Sequence, residues 1–103
     1  SHEALEVTGR VCAVLLRLGV RHFVGGSLAS SFHGVPRSTQ DADIVADLRP
    51  LRVDPLARLL GDRFYFEPKR VREAIAHRSS FNLIDLATFF KVDLFVLKAD
   101  PHS

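Results

Sequence analysis

The sequence FVGGSLASSFHGVPRSTQDADIVAD, residues 23–47, decides how the rest of the chain is interpreted. It opens with a short β-prone run, breaks at Gly25-Gly26-Ser27 and ends in the segment Asp41–Asp47. In that last segment acidic and apolar side chains alternate, which is typical of a strand with one buried face. The stretch therefore predicts a strand, a glycine turn, a short helix over Ser27–His33, a polar loop and a second strand.

The segment before this stretch predicts an amphipathic helix. Residues 3–18 carry apolar side chains at spacings of three and four, which places them on one face of a helix. Gly19 follows where a helix end favours a left-handed residue. His22–Val24 then predicts a short buried strand.

The segment after the stretch predicts two more helices and three more strands. Asp54 is expected to cap a helix that closes at Gly61, and Pro68 to open the next one. We predict strands over Phe64–Phe66, Phe81–Leu86 and Lys91–Leu97, the last two joined by the hairpin-length link Ala87–Phe90. The expected fold class is α/β (α+β), with a mixed twisted β-sheet flanked by helices.

Composition sets limits on the class of protein. The chain has 103 residues and 47% hydrophobic residues, which suits one small domain with a packed core. Cys12 is the only cysteine and lies in the apolar helical pattern, so we predict a buried side chain and a reducing, cytoplasmic setting. No apolar run is long enough to span a membrane. Because the sequence starts at Ser1 without Met, we expect residues 1–103 to be a single domain from a longer protein.

Charge gives a weaker indication. A net charge of +2 permits an anionic ligand but does not require nucleic acid. A nucleic-acid-binding domain is therefore a minor alternative, since the basic residues are scattered and do not cluster with aromatic ones.

The glycine turn is suited to phosphate. Glycines between a strand and a helix let the backbone approach a ligand closely, and the following helix directs its unpaired N–H groups at the turn. Gly25, Gly26 and Ser27 are therefore candidate phosphate-binding residues, with Arg37 in the following loop as a further candidate.

Paired acids on the next strand are suited to a metal ion. Asp41 and Asp43 are two residues apart, so both project from the same face of a strand, and their oxygens suit Mg²⁺ or Mn²⁺. Asp93 lies among apolar residues, where an acid is costly unless it is paired or bound to a metal. A neighbouring strand would bring it beside the first two acids. Asp85 has a similar context and stays an alternative third acid.

The combined pattern resembles the DNA polymerase β-like nucleotidyltransferase superfamily. The resemblance rests on Gly-Gly-Ser, followed after thirteen residues by Asp41-Ala-Asp-Ile, with a third acid on a later strand. The segments Arg37-Ser-Thr, Phe81-Asn-Leu-Ile and Lys91-Val-Asp-Leu-Phe are similar to those of AbiEii-type and minimal nucleotidyltransferases, which are often linked to toxin–antitoxin systems.

This resemblance implies a nucleotidyltransferase-like fold and a two-metal mechanism. Gly26 and Ser27 would bind the phosphates of an NTP such as ATP, and Asp41 and Asp43 would bind the metals. Asp93 would be the third metal-binding acid and would assist deprotonation of a hydroxyl acceptor on a protein, an RNA or a small molecule. The implied partner is a cognate toxin or antitoxin protein. Weaker candidates for the site are Ser38, Thr39, Arg78 and Asn82, whereas His33 and His77 are interpreted as structural or exposed.

A second class of function stays open on sequence alone. A regulatory or antitoxin-like binding module could keep the same fold and act by binding a partner. All three acids are present in this chain, which favours the enzyme.

Overall fold

The computed structural model describes residues 2–25 and 41–97. In these ranges the chain forms three α-helices, five strands and a short 3₁₀ turn at Pro50–Arg52. The helices are α1 (His2–Arg17), α2 (Val53–Leu60) and α3 (Pro68–His77). The strands are β1 (His22–Val24), β2 (Asp41–Ala46), β3 (Phe64–Tyr65), β4 (Ser80–Asp85) and β5 (Lys91–Val96). The predicted helix over Ser27–His33 lies outside the described residues.

The five strands form one mixed sheet in the order β1-β2-β5-β4-β3. β2 and β5 run parallel, and the other neighbouring pairs run antiparallel. The predicted mixed sheet with helices is therefore confirmed. The central strand β5 carries Asp93, and its parallel neighbour β2 carries Asp41 and Asp43.

The described helices and one face of the sheet share a single core. α1 contacts β1 and β2, α3 contacts β4 and β5, and α2 contacts both of these helices. Along each long strand every second side chain is buried in this core, including Ile44, Leu83 and Leu94. The alternate side chains face the other way and are half-buried or exposed. The sheet therefore has one covered face and one more open face, because the pleat alternates side chains between its two sides.

For the three described helices, the predicted ends agree with the structure except at the start of α2. Gly19 has a φ of 71°, the left-handed conformation predicted for it, and Gly61 follows the last residue of α2 with a φ of 57°. The prediction that Asp54 caps α2 is wrong. The helix begins at Val53 directly after the 3₁₀ turn, and Arg52 occupies the cap position. Asp54 lies in the first turn and pairs with Arg72 instead.

Cys12 departs from its prediction as well. Its side chain is half-buried and packs at the margin of the core, not within it. Burial still raises the pKa of the Cys12 thiol.

No helix within the described ranges is both long and apolar enough to cross a membrane.

Candidate functional site

The structure describes only part of the predicted site. Gly25, Asp43 and Asp93 are described in full, and Asp41 is described as the first residue of β2 without its side chain. The remaining predicted site residues, Gly26, Ser27 and Arg37, lie outside the described residues, as do His33, Ser38 and Thr39.

Asp43 and Asp93 are direct neighbours in the sheet. They are register partners in the parallel pair formed by β2 and β5. Partners on adjacent strands point to the same side of a sheet, and their strands lie about 5 Å apart. Both side chains are half-buried on the open face. The expectation that a neighbouring strand brings Asp93 beside Asp43 is confirmed.

Asn82 extends this pair into a row of three. It is the register partner of Asp93 in the antiparallel pair formed by β4 and β5, and it is exposed on the same face. Its amide offers one acceptor and two donors beside the two carboxylates. Of the two weaker candidates that the structure describes, Asn82 and Arg78, Asn82 is therefore the one beside the acids. Arg78 instead donates from Nη1 to the backbone oxygen of Leu97 at 3.2 Å.

Gly25 lies directly against Asp43. Its N–H donates to the backbone oxygen of Asp43 at 2.7 Å. A Cβ atom built on Gly25 would lie 2.9 Å from the Cβ of Asp43, closer than two such atoms can approach. The glycine is therefore needed here for close backbone approach, one of the standard uses of this residue. The structure thus places Gly25, the first residue of the predicted glycine turn, against the acid-bearing strand.

We expect the change Gly25→Ala to disturb the candidate site. The new Cβ meets the rigid Cβ of Asp43, so β1 or Asp43 has to move, and overpacking of this kind costs about 1–3 kcal/mol in unfolding free energy. Gly9→Ala is the matched control, because Gly9 lies inside α1 with nothing within 4 Å of an added Cβ. There, alanine should raise the unfolding free energy by about 0.5–1 kcal/mol.

Urea denaturation followed by circular dichroism measures both effects. Equal shifts of the same sign in the two variants would contradict the close approach of Gly25 to Asp43.

Asp85, the alternative third acid, belongs to the covered face. Its side chain is fully buried, and its Oδ1 accepts from Nε of Arg63 at 2.5 Å. Its Oδ2 accepts from the backbone N–H and the hydroxyl of Thr88, at 3.0 and 2.6 Å. Burial alone raises the pKa of Asp85, but these hydrogen bonds and the charge of Arg63 outweigh it and hold the pKa below its usual value. Asp85 is therefore a structural residue that faces away from Asp43 and Asp93.

Asp47 continues the alternation of β2 beyond the acids and also has charged partners. Its Oδ2 lies 3.4 Å from Nη2 of Arg21 and 3.3 Å from Nη2 of Arg49. Burial raises the pKa of Asp47, but the two arginines outweigh it and keep the pKa below its usual value. These contacts lie at the end of β2 away from Asp41.

Three residues of the open face escaped the sequence analysis. Lys91 is the register partner of Asp41 and is half-buried. Phe23 and Phe95 flank Val45 in the next row of the sheet. Alternation within β5 places Lys91 and Phe95 on the same face as Asp93, but only the pairing register shows that Phe23 shares this face and which of the residues are neighbours.

The described side chains do not by themselves form a three-ligand metal group. Within residues 2–25 and 41–97, no cluster of three or more His, Cys, Asp or Glu side chains could hold a metal ion. The predicted set needs Asp41, whose side chain is outside this description. Asp43 and Asp93 supply two carboxylates in register, and the three-acid set stays a prediction.

Comparisons with known proteins add no identification. No protein-family model, curated protein or solved structure matches the chain. The nucleotidyltransferase resemblance consequently rests on the sequence motifs, and its consequences are treated below as a proposal.

Proposed function

We propose that this protein is a metal-dependent nucleotidyltransferase, which moves NMP from an NTP to a hydroxyl acceptor. One observation carries this function above others. Two carboxylates, Asp43 and Asp93, stand in register on the parallel strands β2 and β5, and Gly25, the first residue of the predicted glycine turn, lies directly against one of them. A turn suited to phosphate beside paired acids suited to a metal ion supports phosphoryl transfer.

The donor set fits a hard divalent cation. Carboxylate oxygens are the ligands that Mg²⁺ prefers, and two carboxylates on neighbouring strands would repel each other less with a cation between them. Asp43 and Asp93 would hold Mg²⁺, or Mn²⁺ in its place, together with the predicted ligand Asp41. Both described carboxylates are half-buried on the open face of the sheet. When bound, the metal supplies Lewis-acid activation of the attacking hydroxyl and charge neutralisation at the leaving pyrophosphate.

Phosphate binding and proton transfer are assigned to protein residues. The N–H of Gly25 is already donated to Asp43, so within this proposal the turn's phosphate donors are Gly26 and Ser27, with Arg37 as a further cation. Asp93 would accept the proton of the acceptor hydroxyl at a carboxylate oxygen. A new bond then forms between that hydroxyl oxygen and the α-phosphorus, the bond from the α-phosphorus to its bridging oxygen breaks, and pyrophosphate leaves.

Metal-dependent nucleotide binding is the first test. We expect titration calorimetry to detect binding of ATP in the presence of Mg²⁺ and to lose it when EDTA is added, because the carboxylates repel the triphosphate without a cation. Each of the four NTPs should be compared, since the motif does not specify the base.

The result also separates the enzyme from the binding module. A folded chain that binds no NTP with Mg²⁺, but co-purifies tightly with a partner protein, would contradict the enzyme and favour the antitoxin-like module. If the chain does bind NTP with Mg²⁺, a second experiment identifies the acceptor class. It follows transfer of label from an α-³²P-labelled NTP to a co-expressed toxin or antitoxin, to RNA or to a small hydroxyl compound.

A further inference from the structure

A row of apolar side chains crosses the open face beside the acids. Phe23 of β1 is the register partner of Val45 of β2, which is in turn the partner of Phe95 of β5. Phe23 is 58% exposed and Phe95 is 42% exposed, while Val45 between them is half-buried. Two large rings are thus left in contact with water on the face that carries the candidate site, and exposed aromatic groups of this kind often mark binding surfaces.

This row is adjacent to the acid pair. Val45 and Phe95 each follow their acid, Asp43 and Asp93, by two residues on the same strand. At about 3.3 Å per residue, the two rows are about 6–7 Å apart. A molecule whose phosphates lie at the acids can therefore reach this row with its next few atoms.

Phe23 and Phe95 are separated by one strand. Two strand separations place their backbones about 10 Å apart, with the shorter side chain of Val45 in the position between them. Phenyl groups that keep this backbone spacing leave room for a planar ring about 5 Å from each, within the range of centroid separations that aromatic pairs favour.

We propose that Phe23 and Phe95 are the walls of a slot that binds the nucleobase of the NTP, with Val45 as its floor. The assignment rests on the proposed function, because it assumes that the triphosphate lies at Asp43 and Asp93. Stacking needs only a π-face, so a slot made of two phenylalanines and a valine accepts different bases. Purines should bind more tightly than pyrimidines, since they present the larger ring surface.

A comparison of two ligands tests the slot. Titration calorimetry with Mg²⁺ measures ATP, which carries a base, against inorganic tripolyphosphate, which does not. Phe95→Ala should weaken ATP binding about tenfold, and Phe23→Ala should do so by a similar factor, while tripolyphosphate binding stays unchanged in both. Phe95→Tyr keeps an aromatic ring and should keep ATP affinity.

Leu16→Ala is the control for loss of an exposed apolar side chain. Leu16 is 74% exposed and belongs to α1, which packs on the opposite face of the sheet. This variant should bind both ligands as the unaltered chain does. Circular dichroism confirms that each variant is folded, and two independent phenylalanine variants keep the test usable if one of them unfolds.

Three results overturn the slot while leaving the proposed function standing. The first is equal affinity of the unaltered chain for ATP and tripolyphosphate. The second is an equal loss of affinity for both ligands in Phe95→Ala. The third is unchanged affinity for both ligands in Phe95→Ala. A dimer in light scattering that Phe23→Ala and Phe95→Ala dissociate would assign the row to self-association instead. Failure of both ligands to bind with Mg²⁺ overturns the proposed function, and the slot with it.

Discussion

Asp43→Asn is expected to reduce nucleotidyl transfer by at least about 10²–10³-fold, the range seen when one pre-organised electrostatic group is removed from a transition-state site. The substitution keeps the size and shape of the side chain and removes its charge, so the strand should keep its pairing with β5. The assay follows transfer of label from an α-³²P-labelled NTP with Mg²⁺ to the acceptor. Circular dichroism spectra should match those of the unaltered chain, which separates loss of the site from loss of the fold.

Asp93→Asn should give a loss of the same order, because Asp93 is the register partner of Asp43 on the neighbouring strand. The double variant should lose little more than either single one, since both carboxylates act on one site and such effects are not additive. Asp62→Asn serves as the matched control, because Asp62 is an exposed acid in the connection between α2 and β3. If Asp43→Asn is folded and transfers as fast as the unaltered chain, the proposed mechanism is wrong.

Asp85→Ala is expected to lower the free energy of unfolding by about 3 kcal/mol. The change removes three hydrogen bonds to a charged, fully buried group, and it leaves the backbone N–H of Thr88 without its acceptor. The Thr88 hydroxyl also accepts from the N–H of Phe90 at 3.2 Å, so the loss extends along the whole β4–β5 turn. Arg63 is 38% exposed and can turn its charge toward water, which keeps the cost below that of stranding a buried ion.

The control for Asp85→Ala is Asp54→Ala. Asp54 also pairs with an arginine, but its side chain is 76% exposed and that of Arg72 is 56% exposed. Surface pairs of this kind contribute about 0–1 kcal/mol, so this variant should change the unfolding free energy little. Urea denaturation at pH 7 measures both. Similar losses in the two variants would contradict the structural role given to Asp85.

Lowering the pH should remove the contribution of Asp85 to the free energy of unfolding. Its pKa is lower in the folded protein than its ordinary value, so the unfolded chain binds the proton more readily. The stabilisation from the charged form is therefore fully present above about pH 5 and is lost as the pH falls through the depressed pKa, below about pH 4. The difference in unfolding free energy between the unaltered chain and Asp85→Ala should shrink over this range. The contribution of Asp47 is common to both proteins and cancels.

Local patterns predicted most of the described fold. Apolar side chains alternate in Asp41–Asp47 and recur every three or four positions in residues 3–18. Each pattern identifies the side chains that one element buries, and the structure places these side chains in one common core. Asp54 was misassigned because a preceding 3₁₀ turn cannot be distinguished from loop by these patterns. Asp54-Pro55 resembles a cap and first-turn proline, although the helix already begins at Val53.

The choice between Asp85 and Asp93 needed information that a single strand does not contain. Both acids occur in apolar β-rich runs, and a shift of one residue in the pairing exchanges the two faces of a strand. In the structure, Asn82 and not Asp85 is opposite Asp93, and Asp85 follows Phe81 and Leu83 into the core. The same strand register places three further residues beside the acids, namely Lys91, Phe23 and Phe95. The roles of Gly26, Ser27 and Arg37 stay predictions.

The parallel pairing of β2 with β5 has a consequence for how the protein is made. The two strands are separated in the chain by α2, β3, α3 and β4, so Asp43 is synthesised long before its neighbour Asp93. Contacts between distant parts of a chain form late, because the intervening segment must first be ordered. A nascent chain that has not yet released β5 from the ribosome therefore has no carboxylate pair. Any activity that depends on the pair can begin only after the domain is complete.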